Sequence, residues 1–369
     1  MDKVKIGVIG CGRISGIYLQ NCTQAFDLLE VAAIADLVPD LAQQRAAEYG
    51  IPRACSVDDL LADPEIEIVL NLTSPAAHAA LNLRLLEAGK HVYTEKPFAM
   101  NATDADAVLA LAREKNLRVG CAPDTFLGAA LQTARHAIDS GRIGEPFAAS
   151  VMLFMENYRM GMPPNFEDYL QWGWDGLFDM GPYFLTGLVS LLGPVRRVAA
   201  SAGSLRPGIT VTNPQSPRYG ETVPLPAPTN VAATLDLHSG VRASLQVARE
   251  GFGYTNRLEI YGTDGVLYCP DPNAFGRAVK LRTPDGNTVD LPHTHGFAEN
   301  LRGLGLADLA HAIRAGRPHR ASGDLARHVL DITLSIFESS QTERHVHLAT
   351  RADRPAPMPV GETERRIDG

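Results

Sequence analysis

The first third of the chain is built from short, unbroken apolar runs alternating with helical patterns, and the first run ends in glycines. Lys3 to Ile9 reads as a strand. It leads directly into Gly10-Cys11-Gly12-Arg13-Ile14-Ser15-Gly16, and a helical pattern follows from Ile14 to Ala25. Glu30 to Ala35, Ile66 to Leu72, His91 to Thr94 and Leu117 to Cys121 repeat the strand pattern, while Leu41 to Tyr49, Ala76 to Ala88 and Ala102 to Lys115 repeat the helical one. A strand that is apolar throughout must be covered on both faces, and crossover helices on a parallel sheet do this. The pattern predicts a doubly wound (Rossmann) α/β domain over residues 1–123.

After Pro123 the grammar changes. A helix from Ala129 to Asp139 is closed by Ser140-Gly141. Strand-like segments then follow without regular helices between them: Pro146 to Met155, Val195 to Ser201, Thr229 to Leu237, Arg242 to Arg249, Asn256 to Tyr261, Gly265 to Cys269 and Ala278 to Arg282. Ser239-Gly240, Thr263-Asp264-Gly265 and Pro284-Asp285-Gly286 are hairpin turns. One apolar helix is expected over Leu177 to Leu192, and two more near Leu301 to Ala315 and Leu325 to Gln341. We therefore expect an α+β domain over 124–349, a large open, mostly antiparallel sheet with helices on one face. Residues 203–228 carry six prolines and read as a surface insertion. Residues 350–369 read as an extended or disordered tail.

Charge bounds the partners. Lys and Arg number 34 against 42 Asp and Glu, a net −8, which argues against nucleic acid or an anionic membrane. No apolar stretch approaches the roughly 20 residues of a membrane span, no export signal is visible, and the cytoplasm is the default location. Cys11, Cys22, Cys55, Cys121 and Cys269 form no C-x-x-C pair, and His293, His295, His311 and His328 show no ligand spacing, so no metal site is expected.

The loop after the first strand is G-x-G-x-x-S. Gly10 and Gly12 permit a tight turn and close backbone approach to a diphosphate, with the next helix aiming its first amides at that anion. Asp36 ends the second strand, about 20 residues on, where a carboxylate accepts hydrogen bonds from ribose hydroxyls. Asp36 would repel a 2′-phosphate, so NAD is favoured over NADP, although Arg13 leaves NADP open. The turn Asn71-Leu72-Thr73-Ser74-Pro75 either lines the same crevice, with Thr73, or is an ordinary helix-capping turn with Ser74 before Pro75. His78, read alone, carries no chemistry. Lys96, in Glu95-Lys96-Pro97, sits at the carboxyl edge of the sheet, where an ammonium stabilises a developing alkoxide.

These blocks together resemble the Gfo/Idh/MocA oxidoreductases. The resemblance rests on the Gly10/Gly12 loop, Asp36, Pro75 with His78, Glu87-Ala88-Gly89-Lys90-His91-Val92 leading into Glu95-Lys96-Pro97, Gly141-Arg142-Ile143-Gly144 and Asp179-Met180-Gly181, and runs to about residue 345. It implies hydride transfer between NAD(P) and a secondary hydroxyl or carbonyl of a sugar, inositol or related polyol. It also implies a homodimer or homotetramer formed through the open sheet. Arg13, Ile14, Thr73, Pro75, His78, Glu95 and Lys96 join Gly10, Gly12 and Asp36 on the cofactor side.

The family's catalytic set is the EKP lysine with Asp-x-x-x-His. Lys96 and Asp179 match, but Tyr183 stands where the histidine belongs. Three readings remain open. Tyr183 carries the proton, its phenol lowered by Lys96; or Asp179 or Lys96 carries it; or redox chemistry is lost and the chain is a dinucleotide-dependent sensor. A further variant keeps NAD bound and recycles it through an oxidation-assisted elimination or epimerisation. Many relatives also carry an arginine after the last strand of the first domain, where this chain has Asp124-Thr125. With Asn157, Tyr158, Trp172 and Trp174, Asp124 is expected to form a polar, aromatic-walled sugar pocket.

Overall fold

Six strands, β1 (Val4–Ile9), β2 (Leu29–Ala35), β3 (Ala54–Cys55), β4 (Ile68–Asn71), β5 (His91–Thr94) and β6 (Val119–Cys121), pair in parallel in the order β3-β2-β1-β4-β5-β6. The computed structural model describes residues 2–156, 176–225, 227–251, 253–361 and 367–368. Every residue of β4 is buried, as helices on both faces require. The strand order reverses between β1 and β4, and the crevice where such sheets take ligands opens at their carboxyl ends. Local signals set the helix starts. Ser56 caps Val57–Ala62 by accepting the Asp59 amide at 3.1 Å, and Asn101 caps Ala102–Glu114 by accepting the Asp104 amide at 2.9 Å.

Among the described residues the second sheet has nine strands. Its central strand β7 (Pro146–Glu156) pairs in parallel with β12 (Arg242–Gly251) and antiparallel with β13 (Thr255–Gly262). Outward from these lie β11 (Asn230–Leu237), β8 (Val195–Gly203) and β17 (Val346–His347) on one side, and β14 (Gly265–Cys269), β15 (Val279–Arg282) and β16 (Thr288–Leu291) on the other. All pairs except β7–β12 are antiparallel. The insertion after β8 folds back as a small hairpin, β9 (Gly208–Thr210) against β10 (Thr222–Pro224). No helix among the described residues is long and apolar enough to cross a membrane.

The single apolar helix expected over 177–192 is two helices, Gly176–Asp179 and Gly181–Leu192. Pro182 has no N–H to offer the preceding turn, so the ladder restarts. The Tyr183 amide donates to Met180 O at 3.1 Å, three residues back, and the Asp179 carbonyl loses its normal helical partner. The second helix is buried along its whole length.

The long helix Gly323–Thr342, capped by Ser322, packs against both domains. Residues 350–361 lie extended across the body. The Met358 amide donates to Gln132 Oε1 at 2.8 Å and the Gly361 amide to Thr294 O at 2.9 Å.

His328 joins this helix to both neighbours. Its Nε2 accepts the Val195 amide at 3.0 Å, and its Nδ1 faces Thr350 Oγ1 at 3.0 Å, while Thr350 donates onward to Asp331. A second ring proton would oppose the Val195 N–H. Burial holds the His328 pKa down to about 4, and does the same for His91. A folded-state value below the unfolded one means that the unfolded chain takes up protons first as the pH falls. Thermal midpoints should therefore fall between pH 6.5 and about 4, and His328→Gln should reduce that fall by a share on the order of 2 kcal/mol. Midpoints independent of pH across this range would refute the assignment.

Candidate active site

At the crest of the parallel sheet, Gly10 turns with φ +106°, and a Cβ there would lie 2.6 Å from the Leu72 carbonyl carbon. Only glycine lets the ends of β1 and β4 approach so closely. At Gly12 a Cβ would meet nothing within 4 Å, so the loop's outer backbone faces open space. The Ser15 hydroxyl donates to Gly12 O at 2.7 Å and tightens the helix entry. Asp36 leans across the loop. Its Oδ2 accepts the Cys11 amide at 2.7 Å and its Oδ1 the Val38 amide at 2.9 Å. Burial pushes the Cys11 thiol up to about 12, so it stays protonated. Arg13 and Ile14 are exposed beside the loop, and Thr73 and Pro75 are half-buried opposite it. This open, backbone-lined turn at a helix start, with a carboxylate alongside, fits the diphosphate and ribose of a dinucleotide.

Two residues expected on the cofactor side have other duties. His78 is fully buried, its Nδ1 2.8 Å from Pro97 O and its Nε2 3.0 Å from Thr73 O. It braces the loops after β4 and β5 against each other, and neither nitrogen is left for a ligand. Glu95 is buried beneath the cleft. Its Oε1 accepts the Tyr18 hydroxyl at 2.7 Å and its Oε2 the Lys96 amide at 2.9 Å.

Lys96 reaches from the first domain into the second. Its Nζ donates to the freed Asp179 carbonyl at 2.8 Å and to Asp179 Oδ1 at 2.9 Å, and lies 5.6 Å from the centre of the Tyr183 ring. Burial alone would lower the Lys96 pKa, but Asp179, Tyr183 and Glu95 outweigh it and raise it, so the group is a standing ammonium. The three side chains of the expected catalytic set thus come together. Beside Lys96 a mainly apolar cavity of about 430 Å³, counting its mouth, opens between Pro97, Phe178, Pro182 and Val329.

The tyrosine departs from the expected electrostatics. Lys96 does pull the Tyr183 pKa down, as does the positive charge of Arg302. Burial is the larger effect, and the net shift is upward, so Tyr183 rests as a neutral phenol.

Asp124 does not line a sugar pocket. It is 1 % exposed, and its Oδ2 accepts the Gly303 and Gly305 amides at 2.8 and 3.0 Å, at the start of the helix Leu304–Ala315. A carboxylate suits a helix N-terminus, and that is where the domain-linking segment has set it. Asn157, Tyr158, Trp172 and Trp174 lie outside the described residues.

Two cations at the site have no motif. Arg302 precedes the helix Leu304–Ala315 and is held by Asn273 and Asn300. Arg249, on β12, places Nη2 3.1 Å from Asp179 Oδ2. A signal existed for Arg249: Ala243, Leu245 and Val247 are buried at alternate positions, and Arg249 continues that inward register. Among the described residues no group of three His, Cys, Asp or Glu side chains is arranged to hold a metal.

A doubly wound dinucleotide domain whose strand-end lysine meets an aspartate from an open-sheet domain defines a class of oxidoreductase. The chain belongs to the Gfo/Idh/MocA family: the model for the oxidoreductase family with an NAD-binding Rossmann fold matches residues 4–122, and that for the family's C-terminal domain matches 131–268. The chain is 23 % identical to myo-inositol 2-dehydrogenase of Thermotoga maritima over 350 residues, 94 % of this chain and 98 % of that protein. To 1,5-anhydro-D-fructose reductase of Ensifer adhaerens it is 26 % identical over 359 residues, 93 % and 98 % of the two chains. Levoglucosan dehydrogenase, solved with NADH and L-sorbose, superposes with a TM-score of 0.82 at 21 % identity, covering 94 % of this chain and 99 % of that one.

Burial raises the Asp124 pKa to about 6. Its folded-state value lies above the unfolded one, so the stability it contributes is present at low pH and lost as the pH rises through about 6. Relative to Asp124→Asn, which keeps a neutral acceptor, the wild type should lose stability in denaturant melts between pH 5 and pH 8. Asp124→Ala, which orphans two amides, should cost on the order of 1–3 kcal/mol at either pH. A constant gap between wild type and Asp124→Asn would contradict the shifted titration.

Proposed function

We propose that this NAD-binding oxidoreductase interconverts a secondary hydroxyl and the corresponding carbonyl on a sugar, inositol or related polyol, using Lys96, Asp179 and Tyr183. The observation that carries the reading is the Lys96 ammonium at the sheet crest, gripping Asp179 under the Tyr183 ring. The names of the relatives, which include an inositol dehydrogenase and an anhydrofructose reductase, support the substrate class. NAD, when bound, supplies the hydride acceptor or donor. Gly10, Gly12 and Asp36 hold it, with Arg13, Ile14, Thr73 and Pro75 around the loop and crevice.

Lys96 binds the reacting oxygen and stabilises the negative charge that grows on it. A lysine whose ammonium is so strongly favoured is a poor proton acceptor. Tyr183, a neutral phenol at rest, donates the proton to the carbonyl oxygen in reduction and takes it back in oxidation. The resting protonation state is therefore the one that reduction needs, and oxidation improves as the pH rises. Asp179 orients Lys96.

The outer face of the second sheet supports a homodimer or homotetramer. Ala148, Ser150, Met152 and Phe154 run along β7 on that face, between Arg242, Ser244 and Gln246 of β12 and Arg257 and Glu259 of β13, a strip of apolar and polar side chains flanked by charges. The composition supports a cytoplasmic protein that binds neither nucleic acid nor membrane.

Turnover should appear as absorbance change at 340 nm when NAD is supplied with myo-inositol or levoglucosan, or NADH with 1,5-anhydro-D-fructose. Lys96→Met and Tyr183→Phe should each lower kcat on the order of 100-fold or more. In the wild type, oxidation should rise and reduction fall with increasing pH, and Tyr183→Phe should flatten both. NAD binding without absorbance change or product would mark a sensor, and product without net absorbance change a recycled cofactor. Near-wild-type turnover by Tyr183→Phe would remove the tyrosine from proton transfer. Asp36→Ala should raise KM for NAD about 10-fold and narrow the preference over NADP, the order expected from losing about 1.4 kcal/mol of ribose binding.

A further inference from the structure

Arg249 occupies an inward position on β12, after Ala243, Leu245 and Val247, and is 8 % exposed. A guanidinium in that register is out of water and needs an anion. It has one: Nη2 lies 3.1 Å from Asp179 Oδ2, while Lys96 Nζ lies 2.9 Å from Asp179 Oδ1. The carboxylate is therefore held on its two oxygens by cations from two domains, one at the crest of the parallel sheet and one inside the open sheet. The Arg249 backbone is itself tied, its amide donating to Thr229 O at 2.8 Å, and its guanidinium lies 3.6 Å from Met155 Sδ.

An ammonium carries three N–H donors. Two of those on Lys96 go to acceptors on one residue, the carbonyl and Oδ1 of Asp179. The direction of the third is then set by where Asp179 sits. Asp179 ends a helix of only four residues, so the backbone alone holds it weakly, and each bond to a carboxylate oxygen narrows its swing about the side-chain torsions. The bond from Arg249 restrains the far oxygen.

We propose that Arg249 is a positioning residue for the hydride-transfer reaction: its grip on the far oxygen of Asp179 fixes the carboxylate that aims the Lys96 ammonium at the reacting oxygen. The inference rests on the reading that Lys96 binds that oxygen. It assigns Arg249 no contact with the substrate. The residue acts through Asp179, and its loss should affect turnover rather than dinucleotide binding, because the glycine loop and Asp36 lie at other strand ends.

Arg249→Gln and Arg249→Lys are made in the full chain, and crystal structures are determined beside kinetics on whichever of myo-inositol, levoglucosan and 1,5-anhydro-D-fructose is turned over fastest. In Arg249→Gln the Asp179 carboxylate should rotate and Lys96 Nζ should move by about 1 Å, losing at least one of its Asp179 contacts. A misplacement of that size costs on the order of 100-fold in kcat. KM for NAD should change less than about 2-fold, since uniform binding is untouched. Arg249→Lys restores a cation to the same strand position and should recover about 10-fold of the loss, a rescue that mere filling of space would not give. If Lys96 Nζ keeps both Asp179 contacts in Arg249→Gln, or turnover matches wild type, the positioning role is refuted. Lys96→Met separates the two failures. Full turnover by that variant overturns the lysine reading itself, whereas its loss beside an active Arg249→Gln overturns only the role of Arg249.

Discussion

The contact between Lys96 and Asp179 is the point on which the architecture of the site turns. Lys96 ends a strand of the parallel sheet, and Asp179 ends a short helix of the second domain. The bond has two arms because the helix ends at Asp179 and restarts at Gly181. With the Tyr183 amide turned to Met180, the Asp179 carbonyl accepts a hydrogen bond from the Lys96 ammonium instead. The same restart begins the buried helix whose first turn carries Tyr183 over the lysine.

Around this bond the charges are arranged so that burial is matched by partners. Glu95 lies below, taking the Tyr18 hydroxyl and the Lys96 amide. Asp179 stands between Lys96 and Arg249, and Tyr183 between Lys96 and Arg302. Cations therefore dominate where an alkoxide would form, which is the sign of field that lowers the cost of developing negative charge in a site of low polarity. The opposing effect is visible at Tyr183. Two neighbouring cations favour phenolate, yet removal from water favours phenol more strongly, and the phenol prevails.

Much of the first domain was legible because its signals are local. Unbroken apolar strands, caps such as Asn101, and glycines at turns act over a few residues, and the observed strands and helices follow them closely. What escaped had little local signal. Strand β3 has only two residues, too few for a period, and β16 buries only Leu291 of its four residues, so its pairing with β15 left almost no pattern in the sequence. The helix over 177–192 read as continuous because its apolar run is continuous, although Pro182 already carried the reason for a break. At the site, Lys96 could be named from its place at the sheet's edge, and Asp179 and Tyr183 from the family resemblance, whereas Arg302 lies over a hundred residues from any of them. Arg249 was visible only as a charge in an inward register.

The sequence by itself determined the class of chain this is: a glycine turn after an apolar strand, an acid ending the next strand and a lysine before proline at the sheet's edge specify a dinucleotide crevice with a cation beside it, because each is a requirement on neighbouring backbone. Only the tertiary structure decided which polar residues come together at the cleft and which brace the fold. The resemblance put His78 and Glu95 on the cofactor side, and Asp124 was expected in a sugar pocket, but in the fold they hold two loops, a tyrosine and a helix start. The physical reason is that a buried polar group must be satisfied by whatever the packing brings within about 3 Å, and that neighbour comes from elements far away in the chain.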